Sequence, residues 1–365
     1  GCIGTRCGCE HSTGDTVPRD LLQPDGVGLA CDAGGFHIDP WGAAKVAIVT
    51  HAHGDHARLG SGVYYCSREG EGVLRRRLGA AVKIVPLEYG ETREFGATTV
   101  SLHPAGHVRG AAQIRVEDAK GVWVAAGDYK RASDPTCSGF EVVPCDAFIT
   151  ETTFALPIYT WRATEAIVTD MLHWWKQNAA NEHVSVLFCY SLGKAQRVLA
   201  ELFRIGTSEG GKLPGEIFVH GAVQPLIDCY RAEGVALPQT TPVAEDEVRR
   251  GKKRESFAGQ LIVAPPSAAG SPWMRRFGPG DRISTAFVSG WMQIRGIRRR
   301  RGYDSGFVMS DHADWPELLR TIRETGAKRV LCTHGYSEIM SRFLREQGLD
   351  AAVLRTQYGG DEAED

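Results

Sequence analysis

A mixed α/β fold is what this sequence predicts, and three observations carry it. Up to about residue 155, short apolar runs alternate with Gly, Pro and Asp punctuation; beyond it, apolar runs lead directly into helical spacing. The third is size: 365 residues, 42% hydrophobic and 24% charged, suffice for two domains with ordinary cores. In chain order, AKVAIVT, KIVPL, TTVSLHPAGH, VWVAAGDY and DAFITETTF read as strands whose ends carry polar residues. Ile167, Met171, Leu172 and Trp175 then set the apolar face of a helix over 164–177. A second helix, over 192–205, follows the strand VSVLFCY. The stretch 240–258 is polar, carries RRGKKR and reads as a solvated loop or arm between IFVH with its helix and the strand LIVAPP. A last unit closes the chain: GFVMSDH, the helix WPELLRTIRETG, the strand RVLCTHG and the helix SEIMSRFLREQG. Strand then helix recurs, which argues for α/β layering.

Forty-two Lys and Arg against forty-four Asp and Glu exclude a uniformly basic surface, so a polyanion would have to be met locally. No apolar run is long enough for a membrane span and the N-terminus lacks a signal-peptide pattern, so a cytoplasmic protein with no membrane partner is expected. Most of the ten cysteines sit singly in apolar runs, as Cys189 and Cys332 do, and read as buried thiols. Cys2, Cys7, Cys9 and His11 gather like metal ligands, yet their spacing fits no familiar zinc module, and a flexible tail is the simpler reading.

The chemistry concentrates in His51-Ala-His53-Gly-Asp55-His56, directly after the strand AKVAIVT. Three imidazoles and a carboxylate within six residues are hard to explain as packing. On a strand-end loop, His51 and His53 can face one cation while Asp55 and His56 face another. Such nitrogen and oxygen donors suit zinc, manganese or iron. Further polar residues end later strands: His107 in HPAGH, Asp128 in AAGDY, His312 in MSDH and His334 in CTHG. Each alone is an ordinary turn residue; after HAHGDH they are the missing ligands. His107 joins His51 and His53, His334 joins Asp55 and His56, and Asp128 has two oxygens with which to bridge.

The HxHxDH string with distant His and Asp motifs resembles the metallo-β-lactamase-fold hydrolases. Glu151 in ITETTF, His312 in SDHAD and His334 in THG, set around a long insertion, are similar to the extra motifs of the β-CASP nucleases. The strings IDPW, THAHGDHAR, HPAGHVRGAAQ, GDYKR, LGKAQR, APPSA, SGWM, SDHADW and THGY resemble the bacterial ligase-associated DNA exonucleases, over nearly the whole chain. The resemblance implies an αββα metallo-β-lactamase sandwich formed by residues 1–157 and 305–365, with a β-CASP domain, 158–304, inserted between. It also implies two divalent ions, zinc first and manganese second, and single-stranded DNA as substrate in a repair setting linked to an ATP-dependent DNA ligase.

Residue by residue, Asp39 in HIDPW matches an acid that orients a ligand histidine. Asp55 counts with the catalytic set as well as the ligands. Glu151 matches the acid that steadies His312, and His312 matches the general acid. His334 matches a position where RNA-directed members carry His and DNA-directed ones such as Artemis commonly carry Val, so RNA processing is the alternative. His103 reads as a supporting or surface residue.

Phosphate contacts are sought in local basic groups. Arg295, Arg298, Arg299, Arg300 and Arg301 fall within seven residues after Trp291 and Gln293, which offer stacking and hydrogen bonding to a single strand. Lys194 stands at a strand-to-helix turn where helix amides could share a phosphate, although the string is no P-loop. Arg249 to Arg254 and Arg75 to Arg77 read as solvated surface. Two further classes stay open: a small-molecule metallo-hydrolase, which needs neither the insertion nor Glu151, and a nucleic-acid-binding scaffold, which needs no ligands.

Overall fold

The computed structural model describes residues 20–250, 256–294, 296 and 302–357. The Cys2, Cys7, Cys9 and His11 cluster lies outside them. Three sheets organise the chain. The first runs in sequence order through β1 (Gln23–Pro24), β2 (Leu29–Cys31), β3 (Phe36–Ile38), β4 (Val46–Ile48), β5 (Val63–Ser67) and β6 (Ile84–Leu87), with α1 (Glu71–Leu78) between the last two. The second contains β7 (Thr92–Phe95), β8 (Thr98–Pro104), β9 (Ala112–Asp118), β10 (Gly121–Ala125) and β11 (Ala147–Glu151). Two late strands complete it: β18 (Arg329–Thr333) pairs in parallel with β11, and β19 (Asp350–Val353) pairs in parallel with β18.

Alternation fixes how these two sheets meet. Val100 and Leu102 of β8, and Ala112, Ile114 and Val116 of β9, point to one face and pack with Phe36, Ile38 and Ile48 of the first sheet. The opposite faces are covered by helices. Val73, Leu74 and Leu78 of α1 lie on Ala47, Tyr64 and Cys66. Val124, Phe148, Val330 and Cys332 lie under α6 (Trp315–Thr325) and α7 (Ser337–Glu346). The result is helix, sheet, sheet, helix.

The third sheet, in order β14 (Thr241–Pro242), β13 (Ile217–Val219), β15 (Leu261–Ala264), β12 (Val184–Phe188), β16 (Ile283–Val288) and β17 (Ser305–Phe307), is parallel throughout. Central β12 is buried along its whole length, as a parallel strand covered on both faces must be. One face meets α2 (Thr164–Ala180), α3 (Lys194–Gly206) and α4 (Gln224–Ala232); the other meets Val243, Phe257, Phe277 and Met292. Among the described residues no helix is long and apolar enough to cross a membrane.

Two expectations need correction. The polar stretch 240–258 is not all loop: it contains β14 and α5 (Val243–Arg250). Buried Val243 anchors that helix to the sheet, and Glu245 and Asp246 favour its first turn. Ser305–Phe307, assigned from the sequence to the closing unit, pairs with β16, so the third sheet extends past residue 304. Pairing, not local pattern, decides where a short strand belongs.

Candidate metal centre

Each candidate ligand sits just past a strand. His51 to His56 follow β4, His107 follows β8, Asp128 follows β10, Glu151 ends β11, and His334 follows β18. Gly127 helps the approach: its φ is 59°, and a Cβ there would stand 2.7 Å from the Cβ of Thr50. The residues converge on two groups, His51, His53, His107 and Asp128, and Asp55, His56 and His334. Asp128 lies between them. Its Oδ2 is 3.5 Å from His51 Nε2, 3.6 Å from His56 Nε2 and 3.9 Å from His107 Nε2.

The imidazoles are aimed by partners behind them. His56 Nδ1 donates to Asp39 Oδ2 at 2.7 Å, His107 Nδ1 to the Asp311 carbonyl at 2.8 Å, and His53 Nε2 to the Leu192 carbonyl at 3.2 Å. The Thr50 hydroxyl donates to Asp39 Oδ2 at 2.6 Å, so it accepts from His51 Nδ1 at 3.0 Å. Asp39 thereby orients His56 directly and His51 through Thr50. Its role is positioning, not contact with a reacting atom. In each ring the second nitrogen is the one turned to the cluster, the arrangement that metal-binding histidines require. His51 Nε2, Asp55 Oδ1 and Asp128 Oδ1 are buried without a hydrogen-bond partner among the described residues. Buried polar atoms left this way are costly unless a cation takes them up, and the nitrogen and oxygen donors fit one.

Electrostatics favour neutral donors at four of the five rings. Burial lowers His53 to about 4 and His51 and His107 well below the ordinary imidazole value, with the neighbouring imidazoles adding to the effect. Burial also lowers His334 to about 4. These rings are neutral donors at pH 7. Burial opposes charge on His56 as well, but the carboxylates of Asp55, Asp128 and Asp39 outweigh it and raise the ring to about 10. Asp128 is pushed up to about 7 by burial. Backbone strain is also stored here: Asp39 and His334 hold φ at 42° and 62°. Such left-handed non-glycine residues cost on the order of 1–3 kcal/mol each and persist only where surroundings impose them.

At the edge of the groups, His312 Nδ1 is 2.9 Å from both oxygens of Glu151, and Glu151 Oε1 also accepts from the Tyr129 amide. Trp161 Nε1 donates to the His312 carbonyl at 2.9 Å. Asp314, two residues on, caps α6 by accepting from Glu317 N and holds the Trp161 amide at 2.8 Å.

The remaining expected residues lie elsewhere. Lys194 is buried, with Nζ 2.8 Å from Asp311 Oδ2, so it neutralises an internal carboxylate instead of presenting charge to a phosphate. Trp291 is half-buried and packs on Phe154, with ring centroids 4.7 Å apart; exposed Gln293 donates to the Ile158 carbonyl. Arg295 and Arg298 to Arg301 lie outside the described residues. His103 meets Ser101 and Glu141, away from both groups. Sequence reasoning missed Thr50, Asp311, Arg197 and Trp161. Only Asp311, beside His312, carried a usable signal.

An Asp39→Ala protein is expected to fold and to bind zinc about 10- to 100-fold more weakly, the usual effect of removing a ligand's outer partner. Chelator competition checks this, and unchanged affinity would refute the positioning role.

No family model matches the chain. A curated relative from Opitutus terrae, described as "Probable DNA ligase", is 32% identical over 322 residues. The match takes in 88% of this chain but only 30% of the relative, so the chain spans about 30% of the length of the curated relative it matches. Among solved structures, a protein of unknown function from Enterococcus faecalis V583 is similar in fold, with a TM-score of 0.52 at 12% identity, covering 86% of this chain and 80% of that one.

Proposed function

We propose that this chain is a metal-dependent phosphodiesterase of the metallo-β-lactamase and β-CASP type, a DNA exonuclease that prefers single strands. In this reading the first two sheets with their helices make the sandwich, and the third sheet, which β17 extends past residue 304, makes the insertion. The observation that carries it is two adjacent donor groups, with Asp128 of the first 3.6 Å from His56 of the second and the buried His312 and Glu151 pair at their edge. The curated relative named as a DNA ligase supports a role beside an ATP-dependent ligase in repair.

His51, His53, His107 and Asp128 would hold one divalent ion and Asp55, His56 and His334 the other, both zinc or, as the alternative, both manganese. When bound, such a pair neutralises a phosphodiester and supplies an acidified water. The chain's own residues do the rest. Asp39 and Thr50 keep protons on His56 Nδ1 and His51 Nδ1, which leaves Nε2 of each ring to the cations. Glu151 holds the proton on His312 Nδ1 and steadies the charged ring, so that Nε2 can protonate the departing oxygen.

One oligonucleotide series tests the reading. Matched DNA and RNA strands, labelled at either end, are offered to metal-free protein with zinc, manganese or magnesium added back. Stepwise shortening of single-stranded DNA that depends on metal is expected. Preferential cleavage of RNA would instead favour the processing role that His334 in the second group suggests. Thioester hydrolysis without any nucleic-acid cleavage would overturn the nuclease reading, as would tight binding without turnover.

A further inference from the structure

The first donor group is not completed by the two packed sheets alone. Two of its three imidazoles are aimed by main-chain carbonyls from loops that leave the third sheet: Leu192, after β12, and Asp311, after β17. The close approach at Leu192 depends on Gly193, whose φ is 84°; a Cβ there would stand 2.2 Å from Val108 Cγ1 and 3.9 Å from His53 Nε2.

Asp311 is held harder still. Arg197 donates to Asp311 Oδ1 at 2.8 Å and to the Ser310 carbonyl at 2.6 Å, while its other amino group reaches Thr164 Oγ1 at 3.2 Å. Lys194 Nζ takes the second oxygen of Asp311 at 2.8 Å. Lys130 Nζ stands 3.8 Å from Asp311 Oδ1, pairs with Asp134 at 2.5 Å and donates to the His107 carbonyl at 3.4 Å. Every member's side chain is buried, with residue exposure of 5% at Asp311 and less at Lys130, Lys194 and Arg197, and 3% for the Asp134 side chain. Although burial opposes ionisation of Asp311, Lys194, Lys130 and Arg197 hold its carboxyl well below the usual range. Buried charges this deep are a poor investment for stability alone.

We propose that this buried cluster is a lock through which α3 sets the affinity of the first metal ion: Lys194 and Arg197 fix Asp311, and the Asp311 carbonyl fixes His107. Lys194, Arg197 and Asp311 are positioning residues, since none reaches the cluster of donor atoms. The inference rests on the metal-centre reading above.

The cluster holds three cations and two carboxylates, which guides the choice of variants. Asp311→Asn would leave three buried cations against one carboxylate, at risk of not folding. Lys194→Met instead evens the count, and Arg197→Lys keeps the charge while losing the planar fork. Zinc is titrated against a chromophoric chelator in the full chain, with thermal unfolding of the metal-free protein as the control for folding. Wild type should bind two ions. In both variants one ion should weaken about 10- to 100-fold, as expected when a ligand loses its outer support. The other should keep its affinity, because the lock meets the centre at His107, a member of the first group. A general loss of structure would weaken both ions together and overturn the proposal, as would two unchanged affinities. A wild-type protein that takes up no zinc overturns the metal-centre reading itself.

Discussion

His312→Ala is expected to keep both metal ions and to lose turnover by about 10²- to 10⁴-fold, the usual contribution of a positioned proton donor. The geometry also permits a different role, because His312, Glu151 and Asp128 form a third group of converging donor atoms. The Glu151 oxygens decide between them. Both accept from His312 Nδ1, and one also accepts from Tyr129 N, so this carboxylate is engaged as an acceptor and is a poor cation ligand. A carboxylate that orients an imidazole and stabilises its charged form is how acid-base histidines are built. Metal content per chain and kcat on an oligonucleotide, measured together, separate the roles: metal retained with turnover lost marks a proton donor, and metal lost marks a ligand. Glu151→Gln should lower turnover in the same direction, since the amide keeps the shape without the charge. Full activity in His312→Ala would refute the assignment.

What could be read from the chain follows from how far each cause lies along it. His51, His53, Asp55 and His56 announce themselves because four potential ligands crowd one strand end. His107, Asp128 and His334 were legible for a related reason: a polar residue straight after an apolar run emerges at the end of a strand, where loops from neighbouring strands converge. Thr50 was not legible, since a threonine there is an ordinary β residue and acquires meaning only from Asp39, eleven positions earlier. Lys194 was misjudged for want of a partner: a lysine at a helix start suggests phosphate until Asp311 appears beside it. The same distance hid β17, whose three residues become a strand only through pairing with β16. Polar α5 was missed because its tie to the core is the apolar side chain of Val243 at its start, too little for a local apolar pattern.

Asp128→Asn should be the most damaging single change, abolishing uptake of at least one ion and reducing turnover to background. Its carboxylate approaches imidazoles of both groups, with Oδ2 within 3.9 Å of His51, His56 and His107. Asparagine preserves volume and one carbonyl oxygen but removes the negative charge that two adjacent cations need between them. Loss should therefore exceed the roughly 10- to 100-fold typical of an outer partner such as Asp39. Proton competition adds a signature in the wild type. Burial pushes the Asp128 carboxyl up to about 7, above its ordinary value, so in metal-free protein a proton occupies it below that pH and a cation must displace it. His53 and His334, lowered to about 4, offer no competing proton until far more acid conditions, while His56, raised to about 10, holds one throughout this range and so adds no inflection near 7. Zinc affinity should accordingly fall as pH drops through 7, before these two imidazoles titrate. Elemental analysis of the variant and a chelator titration of the wild type from pH 8 to about pH 5.5 measure both effects. Two firmly held zinc ions in Asp128→Asn would remove the bridge from the centre.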